Sequence, residues 1–311
     1  MNKIFIIIPT YNGLKDTFEC LKTISKLNYN NQEIKTVIVD NASTDKTPEF
    51  LEKEKSKYNL RKIFKNNKNL GFAKACNIGI KYALENNADY ILLLNSDVVI
   101  DQNFLPSLID SDLDIISPVV QFPLDPDGKD YRYDYGGYVN WWTGRTYHDD
   151  RKVFSKRHRG TSDVKTPPRW PARLPAGREG TPRTVEGAGK PEYIPVDYMS
   201  GCSLLIKAEV FRKIGLFDEK FFMYFEDVDF CVRAKKAGFR VAVDPQSLIF
   251  HKLGGSIKRW STKAIYYNIS SNAIFILKYC GIKTPIALGY LSLLTAKIIM
   301  DKILYKLDAR R

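Results

Sequence analysis

The feature that most constrains this chain is an alternation along its first third. Short, β-branched apolar runs each end in a polar loop and give way to a segment with helical spacing. Ile4–Ile8 reads as a buried strand, and Leu14, Phe18, Leu21, Ile24 and Leu27 then recur at helical intervals. Lys35–Asp40 reads as a second strand with a helix through Phe50–Lys57, Leu60–Phe64 as a third with a helix over Gly71–Glu85, and Asp89–Leu94 as a fourth. Short strands alternating with helices predict βαβ units, hence an α/β fold whose mostly parallel sheet is flanked by helices. Such sheets bind ligands beyond the carboxyl ends of their strands. The loops after Ile8, Asp40, Phe64 and Leu94 are therefore where chemistry is expected.

Past Ser117 the alternation stops. Val119–Tyr147, rich in Tyr, Trp, Gly and Asp, reads as hairpins or long loops. Arg151–Glu192 holds six prolines, five glycines and one leucine, too little apolar surface to offset its ordering entropy, and a flexible insertion is expected there. Order resumes with a strand-like run over Val196–Ile206, a helix over Phe225–Ala237 and two strands at Phe239–Val243 and Ser247–Phe250. From Ser261 onward the chain reads as helix, apolar around nearly its whole circumference.

Charge is segregated. Of a net +13, Arg151–Glu192 carries +7 and Lys252–Arg311 carries +9, leaving the remainder at −3. A nucleic-acid binder needs its basic surface on the folded platform, so no nucleic-acid partner is expected. An acidic body with a basic tail suits an anionic membrane surface, although packing on the body or dimerisation would use the same helices. The longest uncharged stretches, Ala264–Leu277 and Thr284–Ala296, fall short of the roughly 20 residues of a spanning helix, which argues against a conventional transmembrane protein. Five scattered cysteines without a CxxC form neither a disulfide framework nor a zinc site, and Ile4–Ile8 is too short for a signal-peptide core. A reducing, cytoplasmic setting follows.

Four polar clusters could carry chemistry. Pro9-Thr10-Tyr11-Asn12 closes the first strand and Asp40-Asn41-Ala42-Ser43-Thr44-Asp45 the second; these could contact a nucleobase or ribose, or merely form turns and cap helices. Asn69–Asn77 follows the third strand, with Gly71 able to let backbone approach a ligand. Neither GxGxxG nor GxxxxGK[ST] occurs, against dinucleotide and P-loop binding. Asn95-Ser96-Asp97 ends the fourth strand, where one carboxylate suffices for a divalent cation whose other oxygens come from phosphates; a plain turn is the competing reading. Glu226, Asp227 and Asp229 open a helix behind Met223-Tyr224-Phe225. They either complement the helix dipole or supply a carboxylate raised by apolar surroundings into a general base. His251 follows an apolar strand, as a structural residue or a ligand.

In this order the clusters resemble the inverting family 2 glycosyltransferases of the GT-A fold, in their rhamnosyltransferase-like branch, over residues 3–120 and 194–260. The resemblance implies a nucleotide pocket lined by Pro9, Tyr11 and Asn12, with Asp40 and Asn41 at the base or ribose. It implies that Gly71, Phe72, Ala73 and Asn77 lie beside nucleotide and sugar, and that Asn95, Ser96 and Asp97 form the "DxD" motif with Asn in place of its first acid. Asp97 would then ligate Mn²⁺ or Mg²⁺ with His251, Asp227 would be the catalytic base beside Glu226, and Asp197, Met199, Ser200 and Gly201 would border the acceptor. The implied organisation is a nucleotide-sugar half at 1–120, an acceptor half at 121–260 carrying the 151–192 insertion, and a helical appendage at 261–311. The implied activity transfers a sugar, rhamnose by preference, from a dTDP- or UDP-linked donor to a glycan or lipid-linked acceptor in cell-surface polysaccharide synthesis. The enzyme would lie peripherally on the inner face of the cytoplasmic membrane. Two rivals remain: a sugar nucleotidyltransferase, which would want an Arg- and Gly-rich loop where PTYNGLKD stands, and a degenerate nucleotide-sugar-binding scaffold. No oligomeric state follows from the sequence.

Overall fold

A strand such as Ile4–Ile8, apolar at every position, can only be stable with both sheet faces covered. A computed structural model, which describes residues 1–28, 32–124, 131–153, 193–252 and 261–308, has that arrangement. The parallel half contains β1 (Lys3–Thr10), β2 (Glu33–Asp40), β3 (Leu60–Lys65) and β4 (Tyr90–Leu94), with α1 (Leu14–Ile24), α2 (Thr47–Lys53) and α3 (Phe72–Glu85) as crossovers. Next come β5 (Val98–Ile100), α4 (Phe104–Ile109), β6 (Ile115–Pro123) and the hairpin of β7 (Tyr131–Asn140) and β8 (Arg145–Val153). The chain continues through β9 (Ile194–Pro195), β10 (Ser203–Lys207), α5 (Ala208–Ile214), α6 (Glu226–Lys236) and β11 (Val241–His251), and ends in α7 (Thr262–Tyr279) and α8 (Thr284–Asp308).

The strand order is β3-β2-β1-β4-β10-β6-β11-β5, with the β7–β8 hairpin added through β6 and β9 through β11. The pairs β3–β2, β2–β1, β1–β4 and β6–β11 are parallel, and β10 enters antiparallel between β4 and β6. The period-2 alternation of β1 divides two cores. Phe5 and Ile7 join α3, α5 and α6 on one face, while Ile4, Ile6 and Ile8 join α1, α2 and α4 on the other.

Three local expectations differ from what is observed. The two C-terminal strands are one, β11, whose register against β6 shifts between Asp244 and Leu248. Pro245 lies inside that shift and lacks the N–H a regular ladder would need. The run Val196–Ile206 is interrupted: Tyr198 only bridges Gly137, and the chain turns at Gly201 before β10. Of the expected insertion, Arg151–Val153 completes β8, and the rest lies outside the described residues.

The C-terminal helices separate by packing. Phe275 of α7 is fully buried in the main core, against Trp141 and Phe225 at centroid distances of 6.2 and 5.4 Å. Ser271 Oγ donates to the Met223 carbonyl and Asn272 Nδ2 to the Gly144 carbonyl, each at 2.8 Å. α8 instead shares a small cluster, Ile276, Cys280, Ala287 and Leu291, with the end of α7. It also runs through Lys297, so the uncharged count undercounts it. Gly281–Lys302, 22 residues and only 11% buried, is by length and composition the one stretch among the described residues able to cross a membrane.

Asp229 fastens α7 to α6. Its carboxylate is fully buried, 2.9 Å from Arg233 Nε and 2.6 Å from both Lys278 Nζ and the Tyr279 hydroxyl. Removing one member of a buried ion network leaves the others uncompensated. Asp229→Ala is therefore expected to lower unfolding free energy by about 3–5 kcal/mol, measured by denaturant titration, and Tyr279→Phe by about 1 kcal/mol.

Candidate active site

The loops after β1 and β2 are bound into one surface. Asn41 donates its backbone N–H to the Thr10 carbonyl at 2.8 Å. Its side chain is a hub: Nδ2 donates to Asn69 Oδ1 (2.9 Å) and the Gly71 carbonyl (3.2 Å), and Oδ1 accepts from Asn66 Nδ2 (3.0 Å) and the Leu70 N–H (2.9 Å). Asn12 lies in the left-handed region at φ +50°, and its Oδ1 accepts the Thr44 and Asp45 N–H groups at 2.7 and 3.3 Å. Both asparagines thus build the loop. Asp40 is buried at the end of β2, with only long contacts of 3.3 and 3.4 Å from the Ser43 N–H. Pro9 sits in β1 and the half-buried Tyr11 just beyond it. A Cβ placed on Gly13 would lie 3.7 Å from Ser96 Oγ, which puts the β1 and β4 loops side by side.

Gly71 is dictated by a close approach. Its φ is +84°, and a Cβ there would stand 2.4 Å from the Phe222 carbonyl oxygen, which accepts the Phe72 N–H at 2.8 Å. This contact joins the loop after β3 to the segment leading into α6. The Phe72 ring reaches Gly201, and Ala73 is buried in the core. Asn77 is engaged elsewhere: Nδ2 donates to the Phe217 carbonyl (2.9 Å) and Glu219 (3.2 Å), and Oδ1 accepts the Phe217 N–H at 3.1 Å. It latches the 217–219 loop with both ends of its amide.

At the end of β4 the Asn95 N–H donates to the Cys202 carbonyl at 2.9 Å, while its buried Oδ1 has no hydrogen-bond partner. Two residues on, Asp97 Oδ1 lies 3.0 Å from His251 Nε2, brought there because β5 and the end of β11 pair with Val98 opposite His251. Burial opposes charge on Asp97, yet the hydrogen bond and charge of His251 hold its carboxyl below the ordinary range. Burial likewise opposes the imidazolium, but Asp97 and Cys202 push His251 up to about 10. Among the described residues no three His, Cys, Asp or Glu side chains form a complete metal cage. A buried carboxylate paired with an imidazole, two residues along from an orphaned amide oxygen, supplies donor types that fit a hard divalent ion whose remaining oxygens come from a diphosphate.

Across β10 stands the other acid pair. Tyr224 and Phe225 both adopt φ +67° immediately before α6, a strained entry that turns Glu226 and Asp227 toward the 200–202 turn. Asp227 Oδ2 accepts the Gly201 N–H and Oδ1 the Val228 N–H, each at 2.8 Å. Burial raises the Asp227 carboxyl despite those donors. Glu226 is more deeply buried with Oε2 unpartnered, and burial together with Asp227 lifts its carboxyl well above the usual range. The result is a carboxyl fixed by two N–H groups, with part of its surface accessible.

Of the expected acceptor residues, Gly201 touches Asp227, Ser200 lies beside it, and Met199 is fully buried. Asp197 pairs with Lys235 at 2.6 Å and accepts the Val139 N–H at 3.0 Å, which holds the hairpin in place. Sequence reasoning missed the Phe222 carbonyl contact and the pairing of His148 with Asp134 at 2.8 Å. The first is a tertiary contact between loops and the second a pairing across the β7–β8 hairpin, and no local sequence pattern signals either.

The family 2 glycosyl transferase model matches residues 5–165, just over half of the chain and the whole parallel half of the sheet. The chain belongs to glycosyl transferase family 2. It is 26% identical over 260 residues to an N-acetylglucosaminyl-diphospho-decaprenol L-rhamnosyltransferase of Mycobacterium tuberculosis, covering 78% of this chain and 74% of that one. It is 23% identical over 252 residues to the low-salt glycan biosynthesis hexosyltransferase Agl10 of Haloferax volcanii, covering 78% of this chain and 64% of the relative. Its fold is that of the GT-A glycosyltransferases. The mannosyltransferase PcManGT of Pyrobaculum calidifontis, in complex with GDP-Man and Mn²⁺, superposes with a TM-score of 0.56 at 15% identity over 98% of this chain and 80% of the other. GalNAc-T7 with UDP, GalNAc and Mn²⁺ gives 0.62 at 16% over 89% of this chain and 48% of that one.

Gly71→Ala is expected to cost more than about 1 kcal/mol, because a left-handed backbone and a backbone oxygen both exclude the methyl group. Thermal unfolding would register the loss.

Proposed function

We propose that this glycosyltransferase moves a sugar, rhamnose in the favoured reading, from a dTDP- or UDP-linked donor to a glycan or lipid-linked acceptor, with inversion. The observation that carries the reading is Asp227, a carboxyl held by two N–H groups beside the buried Glu226. Inversion by direct displacement needs one base on the acceptor face and no second nucleophilic carboxylate. Asp227 takes the acceptor hydroxyl's proton as that oxygen bonds to the anomeric carbon and the bond to the donor's diphosphate breaks. Asp97, His251 and the Asn95 amide oxygen would hold Mn²⁺ or Mg²⁺, which supplies charge neutralisation for the departing diphosphate. The rhamnose preference rests on the mycobacterial relative. Donors of the UDP and GDP classes are what the fold neighbours hold.

A thermal-shift titration with dTDP-rhamnose, UDP-sugars and GDP-mannose, each with Mn²⁺, Mg²⁺ or EDTA, tests the donor and the ion together. One nucleotide sugar should raise the midpoint, the rise should vanish in EDTA, and Asp97→Asn should abolish the ion dependence. Asp227→Asn should keep donor binding while turnover falls by about a thousandfold, the middle of the range for a lost general base. Because the Asp227 carboxyl is raised, its base form disappears on acidification at a higher pH than for an ordinary carboxylate. The acidic limb of kcat/KM should therefore begin above the normal carboxylate range. Full turnover by Asp227→Asn would refute the base assignment.

The same reading places the enzyme peripherally on the inner face of the cytoplasmic membrane. Support comes from the +9 charge of Lys252–Arg311 and from a patch formed by α8, the turn before it and the hairpin tip. Ile282 is 95% exposed, Leu293 74% and Trp142 60%, and Lys283 lies 4.2 Å over the Trp142 ring. Interfacial binding combines such apolar area with attraction to anionic lipid. The full chain should sediment with phosphatidylglycerol vesicles and be released by salt, and Ile282→Glu with Leu293→Glu should reduce recovery several-fold. Retention through both salt and alkaline carbonate would show instead that α8 spans the bilayer.

A further inference from the structure

Helix α7 meets the approach to α6 at four places, and the two sets of residues run in the same order. Tyr267, Ser271, Phe275 and Tyr279 stand four positions apart, so they follow one another along one side of the helix. Tyr267 stacks on Phe222, with ring centroids 4.5 Å apart and planes 22° from parallel. Ser271 Oγ donates to the Met223 carbonyl at 2.8 Å. Phe275 lies 5.4 Å from Phe225 between centroids, and the Tyr279 hydroxyl donates to Asp229 at 2.6 Å. Within this gripped stretch Tyr224 and Phe225 both adopt φ +67°. Two consecutive bulky residues do not hold themselves in the left-handed region, so their surroundings must impose it.

Asp227 stands two residues past that turn. Its Oδ1 bond to the Val228 N–H belongs to the start of α6, but its Oδ2 bond reaches Gly201, 26 positions away in the chain. The long-range bond forms only if the turn delivers the side chain at the right angle. One flank of the turn is fixed by the loop after β3, since the Phe222 carbonyl accepts the Phe72 N–H at 2.8 Å. α7 supplies the opposing grip. Its four contacts differ in what else they do: Phe275 and Tyr279 also hold α7 to the body, through the main core and the Asp229 network. Tyr267 is half-buried and outside the main core, and Ser271 is buried with its hydroxyl committed to the Met223 carbonyl. What these two hold is the turn.

We propose that Tyr267 and Ser271 are positioning residues for Asp227: by pinning Phe222 and Met223 they maintain the left-handed turn that aims its carboxyl across at Gly201. The proposal rests on the reading of Asp227 as the base. A base that points a fraction of an ångström astray loses turnover without losing the donor, because proton transfer depends on orientation.

Amide hydrogen exchange of the full chain, followed by NMR, reads the aim of Asp227 through the Gly201 N–H and needs neither donor nor acceptor. Tyr267→Ala removes the stack and Ser271→Ala the hydrogen bond. Each should speed exchange at Gly201 by about fivefold or more, the protection that one hydrogen bond confers. Exchange at Ile6 and Leu92, paired in the centre of the sheet, should stay unchanged. Tyr267→Phe keeps the ring and should keep Gly201 protected. In the turnover assay used for Asp227→Asn, Tyr267→Ala should lower kcat by about tenfold or more with the donor KM unchanged, and Tyr267→Phe should retain it. Unchanged exchange at Gly201 in either alanine variant, or an unchanged kcat in Tyr267→Ala, would overturn the proposal. So would a loss of protection shared equally by Ile6 and Leu92, the mark of a purely structural role, or a Tyr267→Phe variant as impaired as Tyr267→Ala. Turnover surviving in Asp227→Asn would instead remove the base reading and leave the Gly201 result standing, so the two failures are distinguishable.

Discussion

The carboxylate of Asp229 is withdrawn completely from water, and the elements around α6 are arranged to neutralise it. Arg233 closes one side from a turn later on α6 and also donates to the carbonyls of Ile214 and Leu216. Lys278 and Tyr279 close the other side from α7, and Lys278 reaches on to Asp218. One buried charge thereby fixes α6, the loop before it and the first C-terminal helix relative to each other. A buried charge is tolerated only when fully partnered, so these elements cannot separate without exposing an unpaired ion. The strained entry into α6 at Tyr224 and Phe225 persists because both sides of it are held in this way.

The second constraint is where β10 runs. It is the antiparallel strand between two parallel blocks, and the turn before it supplies the Cys202 carbonyl to Asn95 and the Gly201 N–H to Asp227. Two adjacent residues of one turn thus touch both polar clusters, the one at the end of β4 and the Asp227 carboxyl at the start of α6. On the proposed reading such a turn would set the spacing between the donor's diphosphate and the acceptor's hydroxyl by covalent geometry, which is the precision that orientation-dependent catalysis requires. A shift of register in β10 would move both centres at once.

Much of the parallel half was legible because its signals are local. Runs such as Ile4–Ile8 and Ile91–Leu94, closed by polar loops, can be little else than buried strands, and the loops after Asp40 and Leu94 stand at the carboxyl ends where they were expected. The pairing of Asp97 with His251 joins residues more than 150 positions apart, and only the family pattern put them together beforehand. Asn12, Asn41 and Asn77 show the opposite lesson. Each stands in a motif that reads as ligand-binding, and each is occupied in holding backbone, because an amide's paired donor and acceptor suit it to lock a loop. The split between α7 and α8 was illegible for a physical reason: a helix apolar on all sides gives no periodicity to say which face is buried, or against what.

That reasoning also explains why a catalytic body this acidic carries so basic a C-terminal segment. α7 is required for the fold through Phe275 and Asp229, so its lysines serve internal pairs such as Lys278 with Asp229 and Asp218. α8 is held more lightly, by Ala287 and Leu291 and by hydrogen bonds from Arg145 to the Tyr290 hydroxyl and from Lys302 to Thr262, and its Ile286, Leu293, Ile299 and Met300 remain exposed. Exposed apolar area with lysines at its edges is unfavourable in water and favourable at an anionic interface. Because α7 is bound to α6 through Asp229, a surface held by α8 and the hairpin tip would be rigidly related to Asp227. An acceptor anchored in that surface would then meet the base at a fixed height, and the membrane itself would supply part of the orientation that the site otherwise has to provide.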